Sequence, residues 1–343
     1  MTHSSMNTGD PHPPAELDVP EIPCALPGEL WGLVSLFNPA GYRNKLQNLR
    51  IFSERARSQG IKLLIVELAF GDADHEVPEE LAEIVLRLRT TSVLWQKERL
   101  LNVGVSSLPA ECDKVAWLDA DIIFENDDWV RETSRLLETY CVVQPFDTAC
   151  WLRQGEMSAP PEGYREQGNS EGQWHHGMAY AMSRVSDPKA ALLDYHVHGH
   201  VGFAWAIRRE IIEKHGLYDA QVLGNGDFVV AHAMYGDEDF WDGRNWQCRR
   251  LSEPMLAHME RWGRPFFDDV QGSVMYVPGR VLHMWHGNQS NRQYRGRLTI
   301  LKETNFDPDR DLVKEPSGCW AWATDRPALH EWASSYFHRR REE

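Results

Sequence analysis

The stretch Lys114-Val115-Ala116-Trp117-Leu118-Asp119-Ala120-Asp121 joins a short apolar run to two aspartates that are separated by one residue. The apolar run has the length and composition of a buried β-strand. Residues i and i+2 of an extended segment point to the same side, so Asp119 and Asp121 are expected to share a face. Two unpaired carboxylates beside a buried strand would be costly, and Mg²⁺ or Mn²⁺ would remove that cost. The alternative is a strand end with two solvated aspartates.

Apolar runs alternate with helical patterns on both sides of this stretch. Further strands are predicted at 31–37, 61–69 and 141–144, and helices at 42–59, 94–103 and 128–139. Strands that alternate with helices pair in parallel, which predicts a doubly wound α/β fold. Ligands of such folds gather at the carboxyl ends of the strands. Five polar or acidic side chains are expected at that edge of the sheet: Asn38, Glu67, Asp72, Asp119 and Asp121.

The second half of the chain has a weaker pattern. Residues 151–195 are rich in Gly, Pro and Ser, which predicts a long loop or lid. Beyond it, a strand is predicted at 201–207, helices at 208–215 and 227–234, and an extended segment at 274–285. His196, His198 and His200 would share one face of a strand. A zinc site there is disfavoured because Asp194 is the only nearby carboxylate.

Composition and charge exclude several classes of protein. The chain has 343 residues, of which 42% are hydrophobic, and a net charge of −15, so a globular protein with a sizeable core is expected rather than a general polyanion binder. The six cysteines form no C-x-x-C pair, which argues against a structural zinc site. No signal peptide and no apolar run of about 20 residues is present, so a cytoplasmic protein with free thiols and no membrane span is expected.

The D-x-D stretch resembles that of GT-A fold glycosyltransferases of the family 2 type. The resemblance extends over roughly residues 30–300 and includes 96–104, 202–209, Gly224-Asn225-Gly226-Asp227 and His283-Met284-Trp285-His286-Gly287, in the order found in that family. It implies a Rossmann-like, mostly parallel sheet flanked by helices, with a C-terminal acceptor-side region. It also implies transfer of a sugar, with a hexose expected, from a nucleotide-sugar to an acceptor hydroxyl, with Mn²⁺ or Mg²⁺. A UDP-sugar is the expected donor.

The same resemblance assigns the metal site. Asp121 would ligate the metal directly, and Asp119 would contact the ribose or a metal-bound water. His283 and His286 match a late histidine that completes the metal shell. Because they are three residues apart on a predicted strand, they would face opposite ways, so a single ligand is expected. His283 is favoured because His286 lies beside the turn at Gly287.

Donor-binding residues follow from the resemblance as well. Asn38 and Glu67 match positions that hold the nucleotide base and ribose, although both also suit a turn and a strand end. Asp72, Lys97 and Ala120 are assigned to the donor site with the two aspartates. Arg292, Arg295 and Arg297 follow the histidine region and would either meet a phosphate or form a solvated helix face. Arg339, Arg340 and Arg341 are expected in a solvated tail.

Asp227 is the predicted catalytic residue. It follows a Gly-Asn-Gly turn and opens a predicted helix, where a carboxylate can also act as an N-terminal cap. The resemblance implies that Asp227 removes the acceptor proton in an inverting transfer. The family often has two acidic residues in this motif, whereas Asp227 stands alone before Phe228. A retaining transferase of the same fold, and an inactive carbohydrate- or nucleotide-binding protein, are the alternatives.

Two other enzyme classes fit the pattern less well. In a phosphatase-like hydrolase, the nucleophilic aspartate would follow the first strand, whereas two strands are predicted to precede Asp119. A nucleotidyltransferase needs a Gly-rich, basic loop after the first strand, and residues 38–43 contain one Gly and one Arg.

The acceptor and the oligomeric state are left open by the sequence. A glycan, a protein, a small molecule and a modified nucleobase are all possible acceptors. Aromatic residues are predicted to shape its site or to fill the core: Trp241, Trp246, Trp262, Phe266 and Phe267. We therefore divide the chain into a disordered or loosely docked tail at 1–28, a nucleotide-sugar-binding half at 29–150, a long loop or lid at 151–200, an acceptor and catalytic half at 201–305 and a C-terminal extension at 306–343.

Overall fold

The computed structural model describes residues 18–160, 174–294 and 296–343. Most of the predicted N-terminal tail, part of the predicted lid, and Arg295 lie outside the described residues. The strands are β1 (Glu29–Phe37), β2 (Lys62–Phe70), β3 (Ile84–Thr90), β4 (Cys112–Leu118), β5 (Ile122–Phe124), β6 (Val142–Gln144), β7 (Thr148–Trp151), β8 (Trp174–His176), β9 (Ala204–Arg208), β10 (Val274–Tyr276), β11 (Arg280–His283), β12 (Leu312–Lys314) and β13 (Trp320–Trp322).

The helices surround these strands. They are α1 (Arg43–Ser58), α2 (Lys97–Val105), α3 (Trp129–Leu137), α4 (Met178–Met182), α5 (Pro188–Leu192), α6 (Tyr195–His198), α7 (Arg209–His215), α8 (Gly226–Met234), α9 (Glu238–Trp241), α10 (Glu253–Val270), α11 (Thr299–Glu303), α12 (Pro308–Asp311) and α13 (Pro327–Arg339), with short 3₁₀ turns at Glu79–Leu81, Cys248–Arg250 and Gln289–Arg292. Among these helices, none combines the length and the apolar composition that a bilayer crossing requires.

A seven-stranded sheet forms the centre of the molecule, with the strand order β10-β6-β9-β4-β1-β2-β3. All neighbouring strands pair in parallel except β9, which is antiparallel to both β4 and β6. The predicted α/β class with a mostly parallel central sheet is therefore confirmed. Strand β9 is the antiparallel member that such a mostly parallel sheet allows.

Near-continuous apolar runs explain why the central strands are covered on both faces. Leu33 of β1 and Leu64 of β2 are fully buried, as expected for parallel strands between two helical layers. Helix α2 lies close against them at Gly104, where an added Cβ would be 2.9 Å from the Val66 side chain. A glycine at this position therefore lets the helix that carries Lys97 and Glu98 approach the sheet closely.

Several predicted elements need correction. Strand β3 was not predicted, so the D-x-D motif follows the fourth strand and not the third. Its sequence alternates apolar residues with Arg87 and Arg89, as is typical of an edge strand with one face exposed to solvent. Residues 195–198 form helix α6 instead of a strand, so the alternating histidines do not share a strand face.

The long helix α10 was also missed. It occupies much of the stretch that was expected to shape the acceptor site, and its Phe266 side chain is fully buried in the core. The indole of Trp262 donates a hydrogen bond to the carbonyl of His215 at 3.1 Å. Both aromatic residues therefore stabilise the packing of α10 and do not face a ligand.

A second, four-stranded sheet has the order β5-β11-β7-β8 and positions the candidate site. Strand β5 begins directly after the D-x-D motif and pairs antiparallel with β11. In this register, His283 lies opposite Ile122, and the Met284 amide donates a hydrogen bond to the Asp121 carbonyl at 2.7 Å. Backbone pairing thus brings two segments that are some 160 residues apart in sequence to one place.

The C-terminal residues pack against the first strand. Phe337 of α13 contacts Phe37 and Trp95, with both ring-centroid distances at 6.0 Å. The Tyr42 hydroxyl donates to the carbonyl of His338 at 3.0 Å. The region assigned to a C-terminal extension is therefore part of the wall around the carboxyl end of β1.

Candidate functional site

A cavity of about 1010 Å³ opens at the carboxyl ends of β1 and β4. Its walls come from both sheets, from the N-terminal ends of α2 and α8, and from the C-terminal segment. Seven of the predicted site residues line it: Lys97, Asp119, Ala120, Asp121, Asp227, His283 and His286. The structure therefore brings together residues from four separate sequence motifs.

Asp121, His283 and His286 form a group of three potential metal ligands. Their ligand atoms lie within 4.8 Å of one another. The Asp121 carboxylate is 3.1 Å from His286 Nε2 and 3.5 Å from His283 Nε2. Asp121 Oδ1 is buried and receives no hydrogen bond from the described residues. One carboxylate and two imidazoles that converge in this way fit a divalent metal ion, with room for further ligands from a substrate.

The two histidines face the same carboxylate, so the expectation that they point to opposite sides is wrong. Strand β11 ends at His283, and the chain then turns, which returns the His286 ring to the same side. Their Nε2 atoms are 3.2 Å apart. Gly287 closes the turn with a φ of 92°, and a Cβ there would be 2.8 Å from the Arg341 carbonyl oxygen. Both histidines are therefore placed to act as ligands.

Glu342 fixes the orientation of the His286 ring. Its carboxylate lies 2.9 Å from His286 Nδ1 and 2.9 Å from Lys45 Nζ. Burial would raise the pKa of Glu342, but Lys45 and Arg340 hold that pKa well below its usual range. The ionised carboxylate accepts a hydrogen bond from Nδ1–H, which leaves the lone pair of Nε2 directed towards Asp121. Carboxylate–histidine pairs of this type orient metal ligands in many proteins.

Both imidazoles are neutral in this environment. Burial lowers the pKa of His283 well below its ordinary value, and the nearby His286 and Arg292 lower it further. Burial, followed by the charge of Arg292, also lowers the pKa of His286. Neutral imidazole is the form that binds metal ions, so the site does not depend on removing protons from its histidines.

Asp119 has a different partner from Asp121. Its side chain forms an ion pair with Lys97, and its amide donates to the Phe203 carbonyl at 2.8 Å. Burial alone would lower the pKa of Lys97, but the carboxylates of Asp119 and Asp227 raise it, so Lys97 carries its charge. Asp119 lies outside the group of three potential ligands.

Asp227 lines the same cavity from the first turn of α8. Its Oδ1 accepts a hydrogen bond from the Phe228 amide at 2.9 Å, and the N-terminal cap is Asn225, whose side chain makes no capping bond. Gly202 leaves room for this carboxylate, since a Cβ there would be 2.9 Å from Asp227 Oδ2 and 3.0 Å from the His200 ring. The carboxylate is therefore exposed to the cavity and is not consumed by capping the helix.

Glu98 is a second acidic residue in the cavity that the sequence motifs did not indicate. It lies next to α8, where a Cβ on Gly226 would be 2.3 Å from its carboxyl carbon. Burial raises the pKa of Glu98 to about 8, and Asp227 contributes to the rise. Glu98 is therefore protonated at neutral pH, which leaves Asp227 as the carboxylate able to accept a proton. In the sequence, Glu98 is a single glutamate beside Lys97, and this pattern is typical of the exposed face of a helix.

The other predicted donor residues lie elsewhere. Asn38 and Glu67 line an adjoining cavity of about 390 Å³. Asn38 bonds both the amide and the carbonyl of Tyr42, and Glu67 accepts from the Val77 amide at 3.0 Å. Both side chains therefore have structural roles. Asp72 is exposed and lines neither cavity.

Three arginines from the C-terminal part of the chain are buried in the cavity wall. Arg292, Arg297 and Arg340 have exposed fractions of 8%, 5% and 5%. Of the two alternatives for Arg292 and Arg297, a contact with a phosphate or a solvated helix face, the solvated face is wrong, and the expectation of a solvated tail is wrong for Arg340. Arg340 contacts the ring of Trp95 at 4.9 Å and pairs with Glu342 at 2.5 Å. Helix α13 directs it inward, which no local sequence pattern indicates.

Comparisons with known proteins give distant structural likenesses. No family model and no curated protein matches the chain. Similar solved structures include glucosyl-3-phosphoglycerate synthase from Mycobacterium tuberculosis in complex with Mn²⁺, UDP-glucose and phosphoglyceric acid (13% identity, TM-score 0.39, covering 88% of this chain and 90% of that one). They also include 4-diphosphocytidyl-2C-methyl-D-erythritol synthase from Anaerococcus prevotii (9%, 0.33, 74% and 87%) and residues 1–349 of S. aureus TarS (11%, 0.34, 69% and 70%). At these distances, the likenesses assign no role to any residue of this chain.

Proposed function

We propose that the protein is a metal-dependent glycosyltransferase that moves a sugar from a nucleotide-sugar to an acceptor hydroxyl, with inversion at the anomeric carbon. The observation that carries this proposal is that one cavity is lined by two kinds of group. Asp121, His283 and His286 form a potential metal site, and Asp227 is a separate carboxylate that lines the same cavity. Transfer of a sugar from a diphosphate leaving group needs charge neutralisation on one side and a base on the other.

The donor is proposed to bind along the wall between β1 and the D-x-D motif. Its diphosphate would lie beside the three potential ligands and Arg292, which donates to His286 Nε2 at 2.8 Å. Asp121, His283 and His286 would hold Mn²⁺ or Mg²⁺, and the bound cation would neutralise the charge that develops on the leaving diphosphate. Asp119, held by Lys97, is placed to accept a hydrogen bond from a ribose or sugar hydroxyl. A UDP-sugar, with a hexose as the transferred group, is the donor that we expect.

Asp227 is proposed to act as the general base. It would accept the proton of the acceptor hydroxyl as that oxygen attacks the anomeric carbon, and the nucleoside diphosphate would leave from the opposite face. The transition state carries oxocarbenium character. Because burial raises the pKa of Glu98 to about 8, this neighbour of Asp227 is neutral and adds no second negative charge beside the proposed base.

Thermal unfolding with a panel of nucleotide-sugars and Mn²⁺ tests the proposal. A donor that binds the folded state must raise the melting temperature, and we expect this rise only when the metal is present. Asp121→Asn should abolish the metal-dependent rise and lower transfer or donor hydrolysis by at least about 100-fold. Asp72→Asn is the matched control, because Asp72 lies outside both cavities and should behave as the wild type. Full activity of Asp121→Asn would exclude the proposed metal site. Full activity of the wild type in excess chelator would exclude it as well.

A further inference from the structure

The cavity is lined by arginines that form no close ion pair with a carboxylate of the described residues. Lys45 and Arg340 pair with Glu342, and Lys97 pairs with Asp119. In contrast, Arg250, Arg292 and Arg297 line the same cavity and form no ion pair with any residue in 18–160, 174–294 or 296–343. The whole chain has a net charge of −15, so acidic side chains are plentiful elsewhere. Arg292 and Arg297 are buried, and Arg250 is partly buried. Buried guanidinium groups without a counter-charge are costly, and a bound anion would remove that cost.

Arg292 belongs to the metal side of the cavity. It donates to His286 Nε2 at 2.8 Å and to the Tyr294 hydroxyl at 3.1 Å. An anion that meets Arg292 would therefore also meet the three potential metal ligands. The donor diphosphate accounts for this arginine in the function proposed above.

Arg297 lies on the other side of Tyr294, towards the turn before Asp227. Its guanidinium carbon is 3.6 Å from the position of a Cβ on Gly224, and it lies over the Tyr294 ring at 4.9 Å. One of its terminal nitrogens donates to the Tyr336 hydroxyl at 2.9 Å, and its Nε is buried with no acceptor among the described residues. The side chain is thus held in place while part of its hydrogen-bonding capacity is unused.

Arg250 lines the same cavity from the 3₁₀ turn Cys248–Arg250. Its guanidinium lies 5.0 Å from the ring centroid of Trp246, which is partly exposed in the cavity. Gln247, just before this 3₁₀ turn, accepts a hydrogen bond from Asn225 Nδ2 at 2.8 Å. The segment that carries Arg250 is therefore tied to the Gly224–Gly226 turn that presents Asp227, and Arg297 lies against that same turn.

We propose that Arg250 and Arg297 form an anion-binding subsite beside Asp227, and that the acceptor carries a phosphate monoester or a carboxylate in addition to its reactive hydroxyl. This inference rests on the proposed function for its assignment to the acceptor. Guanidinium groups bind both kinds of anion through paired hydrogen bonds. A neutral sugar acceptor would leave both charges uncompensated, whereas an anionic acceptor would be anchored with its hydroxyl near the base.

Calorimetric titration of the full-length protein, loaded with UDP and Mg²⁺, tests the subsite with inorganic phosphate and, separately, with acetate. Saturation with UDP keeps the probe away from Arg292 and the metal. We expect saturable binding of at least one anion. If phosphate binds more tightly than acetate, the subsite recognises a phosphate; if acetate binds more tightly, it recognises a carboxylate. Arg297→Gln and Arg250→Gln should each weaken that binding at least tenfold. Arg261→Gln is the control, because Arg261 is exposed and pairs with Asp309 on another face.

Three outcomes would overturn the inference. One is that neither anion binds to the loaded wild type. Another is that both variants, folded by their melting curves, bind phosphate and acetate as the wild type does. The third is that Arg297→Gln weakens UDP as much as the small anion, which would assign Arg297 to the donor. If UDP itself fails to bind with metal, the proposed function fails. The same titration on the unloaded protein then still decides whether Arg250 and Arg297 hold an anion.

Discussion

His286 has both ring nitrogens engaged, and a carboxylate lies at each of them. Glu342 lies at Nδ1, whereas Asp121, His283 and Arg292 surround Nε2. Because Arg292 donates to the same Nε2 that would bind a metal, metal binding requires this arginine to move towards another acceptor. A diphosphate beside the metal would provide that acceptor. Metal and donor should therefore bind cooperatively at this residue.

Glu342→Gln tests the role of the carboxylate behind His286. The amide keeps the shape of the side chain but removes the charge that sets the orientation of the imidazole, so Mn²⁺ affinity should fall about 10- to 100-fold. Calorimetric titration with Mn²⁺ measures this directly. Glu331→Gln, at an exposed position of α13, should bind Mn²⁺ as the wild type does. Equal affinities of Glu342→Gln and the wild type would show that Glu342 does not support a metal ligand.

The sequence could identify some of these residues and not others. Asp121, His283 and His286 lie in short motifs with apolar or aromatic neighbours, so a resemblance was visible. Glu342 and Arg340 lie in a charged C-terminal run that has the composition of a solvated tail. Their burial depends on where α13 ends relative to the cavity, which is a tertiary property and leaves no local periodicity.

At the scale of single elements, helix α2 places a basic residue, Lys97, and an acidic residue, Glu98, next to each other in the cavity wall. Lys97 pairs with Asp119, and Glu98 lies against the start of α8. The helix is predicted at 94–103 and is observed at Lys97–Val105. The sequence therefore indicates that a helix is present but not the residue at which it begins. That difference matters here, because the residues that open the helix are the ones that reach the cavity.

Glu98→Gln should change how stability depends on pH. The pKa of Glu98 is raised by burial from 4.5 to about 8 in the folded protein, so the folded state holds a proton that the unfolded chain releases. Its favourable contribution is fully present below about pH 4.5 and is lost as the pH rises to about 8. The melting temperature of the glutamine variant relative to the wild type should therefore increase by a few degrees between pH 5 and pH 8. Thermal melts across this range provide the measurement.

The control for this experiment is Glu54→Gln on the exposed face of α1. Its melting curves should follow those of the wild type at each pH. A constant difference between Glu98→Gln and the wild type from pH 5 to pH 8 would mean that Glu98 does not retain its proton in the folded state. It would also remove the reason for assigning the base role to Asp227 alone.

Element pairing explains which parts of the fold could be read from the sequence. The apolar runs of β1, β2 and β4 are buried on both faces, so their composition alone marks them as strands. Strand β3 is an edge strand with Arg87 and Arg89 on its open face, and its mixed composition concealed it. The pairing of β11 with β5, which creates the three-residue ligand group, depends on contacts between distant segments and could not be predicted from either one.

At the scale of the whole molecule, an acidic protein has a cavity lined by three arginines, Arg250, Arg292 and Arg297, that form no ion pair within the described part of the chain. The net charge of −15 repels polyanions at long range, whereas these arginines would attract a small anion that enters the cavity. This distribution favours compact anionic ligands over nucleic acid. It also explains why net charge alone could not predict the character of the site.

The C-terminal helix is predicted to be part of the same cooperative unit as the sheet. Phe337 is buried between Phe37 of β1 and Trp95, which precedes α2, so Phe337→Ala would leave a void at the cavity wall. Truncation of a buried Phe costs about 3–5 kcal/mol. At about 2 °C per kcal/mol for a chain of this size, the melting temperature should fall by about 6–10 °C in a single transition.

Val313→Ala provides the control for this prediction, because Val313 lies in the same C-terminal region with 48% of its surface exposed. Its melting temperature should stay close to that of the wild type. If Phe337→Ala melted like the wild type, or in two steps, α13 would be an appendage that folds separately from the sheet. Arg340 and Glu342 would then lack the rigid support that they need to orient His286. They could contribute to the site only if ligand binding ordered the C-terminal segment.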